Sequence, residues 1–271
     1  MNIGVFDSGL GGLAIFREIL NKLSQYNYLY FGDNARVPYG GRSNDRIYIF
    51  TKDAMDFLLQ NDCQLIILAC NAATSNALHR LQQEYLPKYY PDRKILGVIR
   101  PVVEIAVANN VQRIGVMATR ATVATNSYPH EIQKLNPSIE VFQQACPLLV
   151  PIIEEDEIDW EGCDLAIQKY LKPLLTNNID SLILGCTHYG LIEEKIKHQL
   201  PANVHIISQG KATAEKLVDY LSRHPEIETK LEKNAKRTYF ATDLSQRYEK
   251  LTKLFLGDHV SEDAKLQLVN I

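Results

Sequence analysis

Short apolar runs alternate with longer amphipathic stretches along this chain, and that alternation constrains the fold more than any other feature. The runs with the composition of buried strands are residues 2–6, 28–31, 64–69, 94–99, 113–118, 138–144, 181–185, 204–208 and 237–242. Between most of them, apolar residues recur at helical spacing, as at Leu13, Phe16 and Leu20. Strands that alternate with helices predict an α/β fold, in which helices cover mostly parallel sheets on both faces.

The composition narrows the classes of function. Of 271 residues, 46% are apolar and 23% are charged, and 29 basic against 32 acidic residues give a net charge of −3. Because there is no basic excess, we expect neither nucleic acid nor a membrane surface as a partner. Five cysteines without a CxxC motif, in a sequence without a signal-peptide pattern, predict reduced thiols and a cytoplasmic location.

Two halves of the chain repeat the same order of motifs. The tripeptide IGV occurs in a predicted strand at 3–5 and again at 114–116, and a later strand in each half ends at a cysteine, Cys70 or Cys186. The repetition predicts two pseudo-symmetric α/β domains. We expect the active site in the cleft between them, where two such cysteines would approach a ligand from opposite sides.

Four motifs rich in small and hydrogen-bonding residues follow predicted strands. They are residues 7–12, 33–41, 70–71 and 186–188. Ligands bind to parallel sheets at the carboxyl ends of the strands, where such loops meet. The glycines of the first motif expose backbone N–H groups beside a helix N-terminus, which suits an anion. Asp7 is a candidate helix cap or catalytic carboxylate, and Tyr39 is a candidate hydroxyl donor to a ligand.

Cys70 and Cys186 are the candidate catalytic residues. Each follows an apolar strand and precedes a predicted helix start, a setting in which the helix dipole lowers the pKa of a thiol. Two acidic groups on opposite faces of one carbon suit racemisation, because one removes the α-proton and the other returns a proton to the opposite face. A hydrolase built on Cys186 and His188 is the alternative, but it gives Cys70 no role. A zinc site at that pair lacks further ligands. The other cysteines are expected to be structural: Cys63, Cys146 and Cys163.

The motifs resemble the cofactor-independent family of amino-acid racemases. FDSGLGG, DNARVPYGG, LACNAAT, IGVMATRATV, VPIIEE, LGCTHY and YFATD…FLG occur in the family order over nearly the whole chain. The resemblance implies two α/β domains, one inserted in the other, which we place at 1–97 with 209–271 and at 98–208. It implies interconversion of L- and D-glutamate for peptidoglycan synthesis, without pyridoxal phosphate or a metal ion. The alternatives are aspartate or another acidic amino acid as substrate, and an inactive binding protein. Family members are often homodimers, and we expect one here.

The resemblance also implies roles for individual residues. Cys186 would take the α-proton of L-glutamate and Cys70 that of the D-isomer. Asp7, His188 and Glu154 match the groups that tune the two thiols. The implied substrate contacts are Ser8, Tyr39, Gly40, Asn71, Ala72, Thr119, Thr122, Thr187 and His188.

Two departures from the usual family pattern concern the site. Ala72 stands where threonine is usual, so one hydroxyl donor is missing, and Thr74 or the backbone N–H of Ala72 is the candidate replacement. Ser208-Gln209 stands where the family has Asp-Ser. Both cysteines are unaffected, so these departures concern the choice between glutamate and aspartate more than the type of reaction.

Overall fold

The computed structural model describes residues 1–109, 111–244, 248, 252, 255–259 and 266–271. The strands in this part of the chain are β1 (Asn2–Asp7), β2 (Tyr28–Gly32), β3 (Cys63–Leu68), β4 (Lys94–Gly97), β5 (Arg113–Ala118), β6 (Glu140–Ala145), β7 (Ser181–Gly185), β8 (His205–Ile207), β9 (Arg237–Ala241) and β10 (Leu266–Leu268). The α-helices are α1 (Gly12–Lys22), α2 (Asn44–Gln60), α3 (Asn71–Arg80), α4 (Leu86–Tyr89), α5 (Ile99–Ala108), α6 (Arg120–Ala124), α7 (Ser127–Leu135), α8 (Leu149–Glu154), α9 (Glu161–Thr176), α10 (Glu193–His198), α11 (Gln209–Arg223) and α12 (Pro225–Glu228). None of the helices described here has the length and apolar character needed to cross a bilayer.

Within the described residues the strands form two parallel sheets. One has the order β10-β9-β2-β1-β3-β4 and the other has the order β6-β5-β7-β8. The pairing is parallel throughout, from β1 beside β2 and β3 to β7 beside β8. The predicted fold class, two mostly parallel sheets flanked by helices, is therefore confirmed.

The two sheets repeat one topology. The order β2-β1-β3-β4 in the first sheet corresponds to β6-β5-β7-β8 in the second. The strands that contain the repeated IGV motif, β1 and β5, are thus equivalent, and so are β3 and β7, which are followed by Cys70 and Cys186. The internal similarity of the sequence therefore reflects two copies of one strand arrangement.

Helices cover both faces of the first sheet. On one face Phe16 of α1 and Leu217 of α11 pack against Ile3 and Val5 of β1. On the other face α2 and α3 pack against Phe6 of β1. Side chains of a strand point alternately to the two faces, so a strand buried on both is a continuous apolar run.

Helix α11 follows β8 of the second sheet along the chain but packs on the first sheet. This return supports our proposal that residues 98–208 form one domain and that 1–97 with 209–271 form the other. Part of 209–271 lies outside the described residues. The boundaries themselves stay a prediction.

Two strand predictions need correction. β3 begins at Cys63, one residue before the predicted run, so this cysteine is a buried strand residue and does not precede the strand. β10 (Leu266–Leu268) is not predicted by the sequence pattern, because three residues are too few to show an apolar run.

Candidate active site

The carboxyl ends of four strands hold most of the predicted site residues. Ser8 follows β1 and Cys70 comes two residues after β3, while Thr119 follows β5 and Cys186 follows β7. β1 pairs with β3, and β5 pairs with β7, both in parallel register. The carboxyl ends of each pair therefore lie at one edge of their sheet, where ligands bind in folds of this kind.

One small cavity brings the two candidate thiols together. It has a volume of about 20 Å³, which is room for roughly one water molecule. Cys70 and Cys186 both line it, and their exposed fractions are only 5% and 8%. The lining residues are Ser8, Val37, Pro38, Tyr39, Gly40, Cys70, Asn71, Ala72, Thr119, Val150, Cys186, Thr187 and His188. Residues from both sheets thus enclose the same space.

Three predicted site residues lie behind this lining, and three lining residues were not predicted. Asp7, Glu154 and Thr122 do not line the cavity. Thr122 is buried, and its Oγ1 lies 3.1 Å from Oγ1 of Thr119. The lining residues that sequence reasoning missed are the apolar ones, Val37, Pro38 and Val150. The residue type of an apolar side chain does not show, in a sequence, that it lines a cavity.

Cys70 is a buried thiol at a helix N-terminus. It is the N-cap of α3, and its Sγ accepts a hydrogen bond from the Ala73 N–H at 3.5 Å. Its S–H donates to Oγ of Ser8 at 3.4 Å. Burial raises the pKa of Cys70 to about 12, and the nearby Asp7 carboxyl adds to the rise. The predicted lowering by the helix dipole is therefore wrong for Cys70, because desolvation of the thiolate outweighs it.

Cys186 lies at the end of a chain of proton-transferring groups. Its Sγ is 3.9 Å from Nδ1 of His188, and Nε2 of His188 is 2.5 Å from Oε1 of Glu154. The segment that follows the cysteine, Thr187–Ile192, is a 3₁₀ helix, and α10 begins only at Glu193. The α-helix predicted directly after Cys186 is thus replaced by a turn that carries His188.

The charges around His188 favour its protonated form. Burial lowers the pKa of His188, but hydrogen bonds and charge interactions with Cys186 and Glu154 raise it well above its usual range. Asp7 is fully buried on the same side, where its Oδ1 accepts a hydrogen bond from Thr187 at 3.3 Å. Burial raises the pKa of Asp7, and the His188 ring opposes this rise.

Oδ2 of Asp7 accepts the Gly9 N–H at 3.1 Å in the turn before α1, and a hydrogen bond with the backbone of Gly12, the first residue of that helix, also lowers the pKa of Asp7. The described residues contain no group of three or more His, Cys, Asp or Glu side chains that could hold a metal ion. The imidazole of His188 lies beside Cys186, and the carboxylate of Glu154 lies on the other side of that imidazole. Such an arrangement can accept, hold and return a proton.

Two hydroxyl groups considered from the sequence are already bonded to the protein. The Tyr39 hydroxyl donates its hydrogen to Oδ2 of Asp33 at 2.5 Å, so in this arrangement it can accept a hydrogen bond from a ligand but not donate one. The Thr74 hydroxyl donates to the carbonyl of Leu68 at 2.9 Å, and Thr74 does not line the cavity. Thr74 therefore does not replace the missing hydroxyl at position 72. The backbone N–H of Ala72 is the remaining candidate.

Comparison with known proteins identifies close relatives. A sequence model of the Asp/Glu/Hydantoin racemase family matches residues 3–217. The chain is similar to the glutamate racemase of Persephonella marina, with 39% identity over 272 residues that cover 100% of this chain and 99% of that one. It is 38% identical over 268 residues to the glutamate racemase of Sulfurihydrogenibium sp., covering 98% of each chain. A crystal structure of glutamate racemase from Francisella tularensis in complex with D-glutamate has a TM-score of 0.88 and 33% identity, over 99% of this chain and 97% of that one.

Proposed function

The chain belongs to the Asp/Glu/Hydantoin racemase family of isomerases, and we propose that it interconverts L- and D-glutamate by proton transfer between Cys70 and Cys186. Its similarity to glutamate racemases supports the substrate. The observation that carries the mechanism is that both thiols, each less than a tenth exposed, line one small cavity. Racemisation needs one proton-transferring group on each face of the α-carbon, and two thiols that line the same cavity can provide them.

In the L-to-D direction, Cys186 takes the α-proton of L-glutamate. The electrons of the broken C–H bond remain on the substrate as a carbanion, spread over its α-carboxylate. Cys70 then gives the proton of its thiol to the opposite face of the same carbon. Cys186 ends as a thiol and Cys70 as a thiolate, and solvent protons restore the starting state. The reverse direction exchanges the roles of the two cysteines.

The environments of the two thiols suit this starting state. With a pKa of about 12, Cys70 carries its proton at neutral pH and can act as the acid. A protonated His188 places a positive charge beside Cys186, and Glu154 stabilises that charge at 2.5 Å. Two groups of the same chemical type thus begin the L-to-D direction in different surroundings, Cys70 as the proton donor and Cys186 beside a positive charge.

The carbanion needs donors that are already oriented, because the α-proton of an amino acid is a poor acid. Ser8, Asn71, Thr119 and Thr187 place hydroxyl or amide groups around the cavity. In an enclosed space without bulk water, such donors stabilise developing charge more strongly than they would in solvent. We propose that these residues, with Tyr39, Gly40, Ala72, Thr122 and His188, form the binding site for the two carboxylates and the amine of the substrate.

The function is tested by isotope exchange in deuterated water. Purified, chelator-treated protein is incubated with L- or D-glutamate, and in parallel with each enantiomer of aspartate. We expect α-deuterium in the product enantiomer by NMR, together with loss of optical rotation, and a higher rate with glutamate. Faster exchange with aspartate would move the assignment to an aspartate racemase. Hydrolysis of amide or ester substrates, with free amino acids left untouched, would instead support the Cys186–His188 hydrolase.

Gly11 allows a close approach that the site needs. A Cβ at position 11 would lie 2.6 Å from Oγ1 of Thr187 and 2.7 Å from Nδ1 of His188. We expect Gly11→Ala to slow racemisation about 100-fold, because a shift of about 1 Å in a catalytic group has that order of effect. Gly41→Ala is the matched control, since a Cβ there meets nothing within 4 Å. Equal initial rates for the two variants would contradict the proposed placement of His188.

Three further proposals concern the cellular context. We propose that the product D-glutamate is used for peptidoglycan synthesis and that the protein acts in the cytoplasm as a homodimer. Five free cysteines, all buried, support a reducing compartment. Fractionation of cells tests the location, sedimentation velocity tests the dimer, and rescue of a depleted strain by external D-glutamate tests the role in the cell wall.

A further inference from the structure

Two buried amide side chains form a reciprocal pair next to Cys70. Asn71 is the first residue of α3 and Gln209 is the first residue of α11. Nδ2 of Asn71 donates to Oε1 of Gln209 at 2.8 Å, and Nε2 of Gln209 donates to Oδ1 of Asn71 at 2.8 Å. Their exposed fractions are 2% and 7%. The pair therefore joins α3, the helix that Cys70 caps, to the start of α11, where the chain returns to the first sheet.

A tyrosine from the second half of the fold completes the arrangement. Tyr128 of α7 is fully buried, and its hydroxyl donates to Oδ1 of Asn71 at 2.8 Å. The same hydroxyl accepts a hydrogen bond from Nε2 of Gln209 at 3.2 Å. The Tyr128 ring belongs to the core around β5 and β7. Helices α3, α7 and α11, which come from both halves of the fold, thus meet at the side chain of Asn71.

The hydrogen bonds fix which groups of Asn71 remain available. Its Oδ1 accepts two hydrogen bonds, from Gln209 and from Tyr128, which uses both lone pairs. Its Nδ2 carries two hydrogens and donates one of them to Gln209. One N–H of Asn71 is left, on a side chain that lines the cavity with both thiols. In this arrangement the Tyr128 hydroxyl donates to the amide oxygen of Asn71 and accepts from Gln209.

We propose that Gln209 and Tyr128 are positioning residues that hold Asn71 with one N–H directed to a carboxylate of the substrate. The inference rests on the proposed function and adds two residues that do not line the cavity. Because Tyr128 and Gln209 lie on different helices, the direction of that N–H depends on how the two halves of the fold sit together. Gln209 occupies one of the positions at which this chain departs from the usual family pattern.

The kinetic test compares Gln209→Met and Tyr128→Phe with matched controls. Both changes keep the size of the side chain and remove its hydrogen bonds to Asn71. We expect KM for both enantiomers of glutamate to rise about tenfold, with a smaller change in kcat, because a lost contact to a bound carboxylate weakens substrate binding. Gln64→Met and Tyr28→Phe are the controls, since Gln64 and Tyr28 are equally buried and donate to backbone carbonyls away from the cavity. KM values for the four variants that agree within about twofold would overturn the proposal.

A second readout does not depend on activity. In NMR spectra of the labelled full chain, one Nδ2 proton of Asn71 is expected to exchange slowly with solvent and the other to shift when D-glutamate is added. In Gln209→Met the slow proton is lost and the shift is reduced. Slow exchange that persists in Gln209→Met would overturn the positioning role. If the unchanged protein binds D-glutamate with this shift but does not racemise it, the proposed function fails and the positioning of Asn71 stands.

Discussion

Changing either Cys70 or Cys186 to serine is expected to slow the interconversion of L- and D-glutamate about 1,000-fold or more in both directions. In the proposed mechanism each sulfur acts as the base in one direction and as the acid in the other, so the loss of one thiol removes a step from both directions. A hydroxyl is a much weaker acid than a thiol, and a positioned acid or base contributes about 10²–10⁴-fold to a rate. The rate is measured by circular dichroism from each pure enantiomer.

The remaining thiol gives this prediction a second signature. In Cys70→Ser, Cys186 still faces one side of the α-carbon and can exchange that proton with deuterated solvent without inversion. We expect α-deuterium in L-glutamate alone for Cys70→Ser and in D-glutamate alone for Cys186→Ser. Cys163→Ser is the control, since Cys163 is buried in α9 and does not line the cavity. Exchange without preference for one enantiomer in either variant would falsify the assignment of the two faces.

The second large effect is expected at His188. We expect His188→Asn to slow racemisation about 100-fold, because it removes the cation beside Cys186 and a holder for its proton. Glu154→Gln is expected to slow it about tenfold, because the ring remains but its carboxylate partner is lost. Glu157→Gln is the control, since Glu157 is an exposed carboxylate just beyond α8, the helix that ends at Glu154. Initial rates with L-glutamate at pH 7 compare the three variants.

The pH dependence follows from the sign of the shift at His188. We propose that its protonated form is the active one, and hydrogen bonds and charges from Cys186 and Glu154 raise its pKa well above the usual range. Activity of the unchanged protein should therefore persist well above pH 6.5 and fall only as His188 loses its proton. Glu154→Gln removes the carboxylate that raises the pKa of His188. We therefore expect a lower pKa for His188, and the loss of activity at alkaline pH should begin at a lower pH. The carboxyl of Asp7 also faces His188 and is not altered by this substitution. Identical alkaline limbs for the two proteins would contradict this account.

Much of the fold could be predicted from the sequence because parallel strands buried on both faces leave an uninterrupted apolar run. The run at 113–118 agrees with β5 residue for residue, and so does the run at 181–185 with β7. Where a strand is short or borders a loop, the pattern fails. β8 has only three residues, and the predicted run at 204–208 is longer at both ends.

Most of the residues that line the cavity could be predicted from the sequence, but their hydrogen bonds could not. Polar and small residues after strands mark a ligand edge, and eight of the ten expected lining residues lie in the four motifs identified for that reason. The other two, Ala72 and Thr119, were expected only from the family resemblance. Which partner each side chain chooses depends on three-dimensional neighbours. The Tyr39 hydroxyl bonds to Asp33, and Asn71 bonds to Gln209, which is 138 positions away in the chain. The pKa of Cys70 also depends on its depth of burial, which no local motif records.

The small size of the cavity has a consequence for the stereochemistry of each binding event. The two thiols are only 5% and 8% exposed and the cavity that they line has room for roughly one water molecule, so we expect a substrate to enter and leave only when the loops around the cavity move apart. If the proposed function holds, a substrate bound while the loops are together passes back and forth between its two enantiomers. A single binding event can therefore release either enantiomer. The rate at which the loops open decides how closely the released molecules approach a racemic mixture.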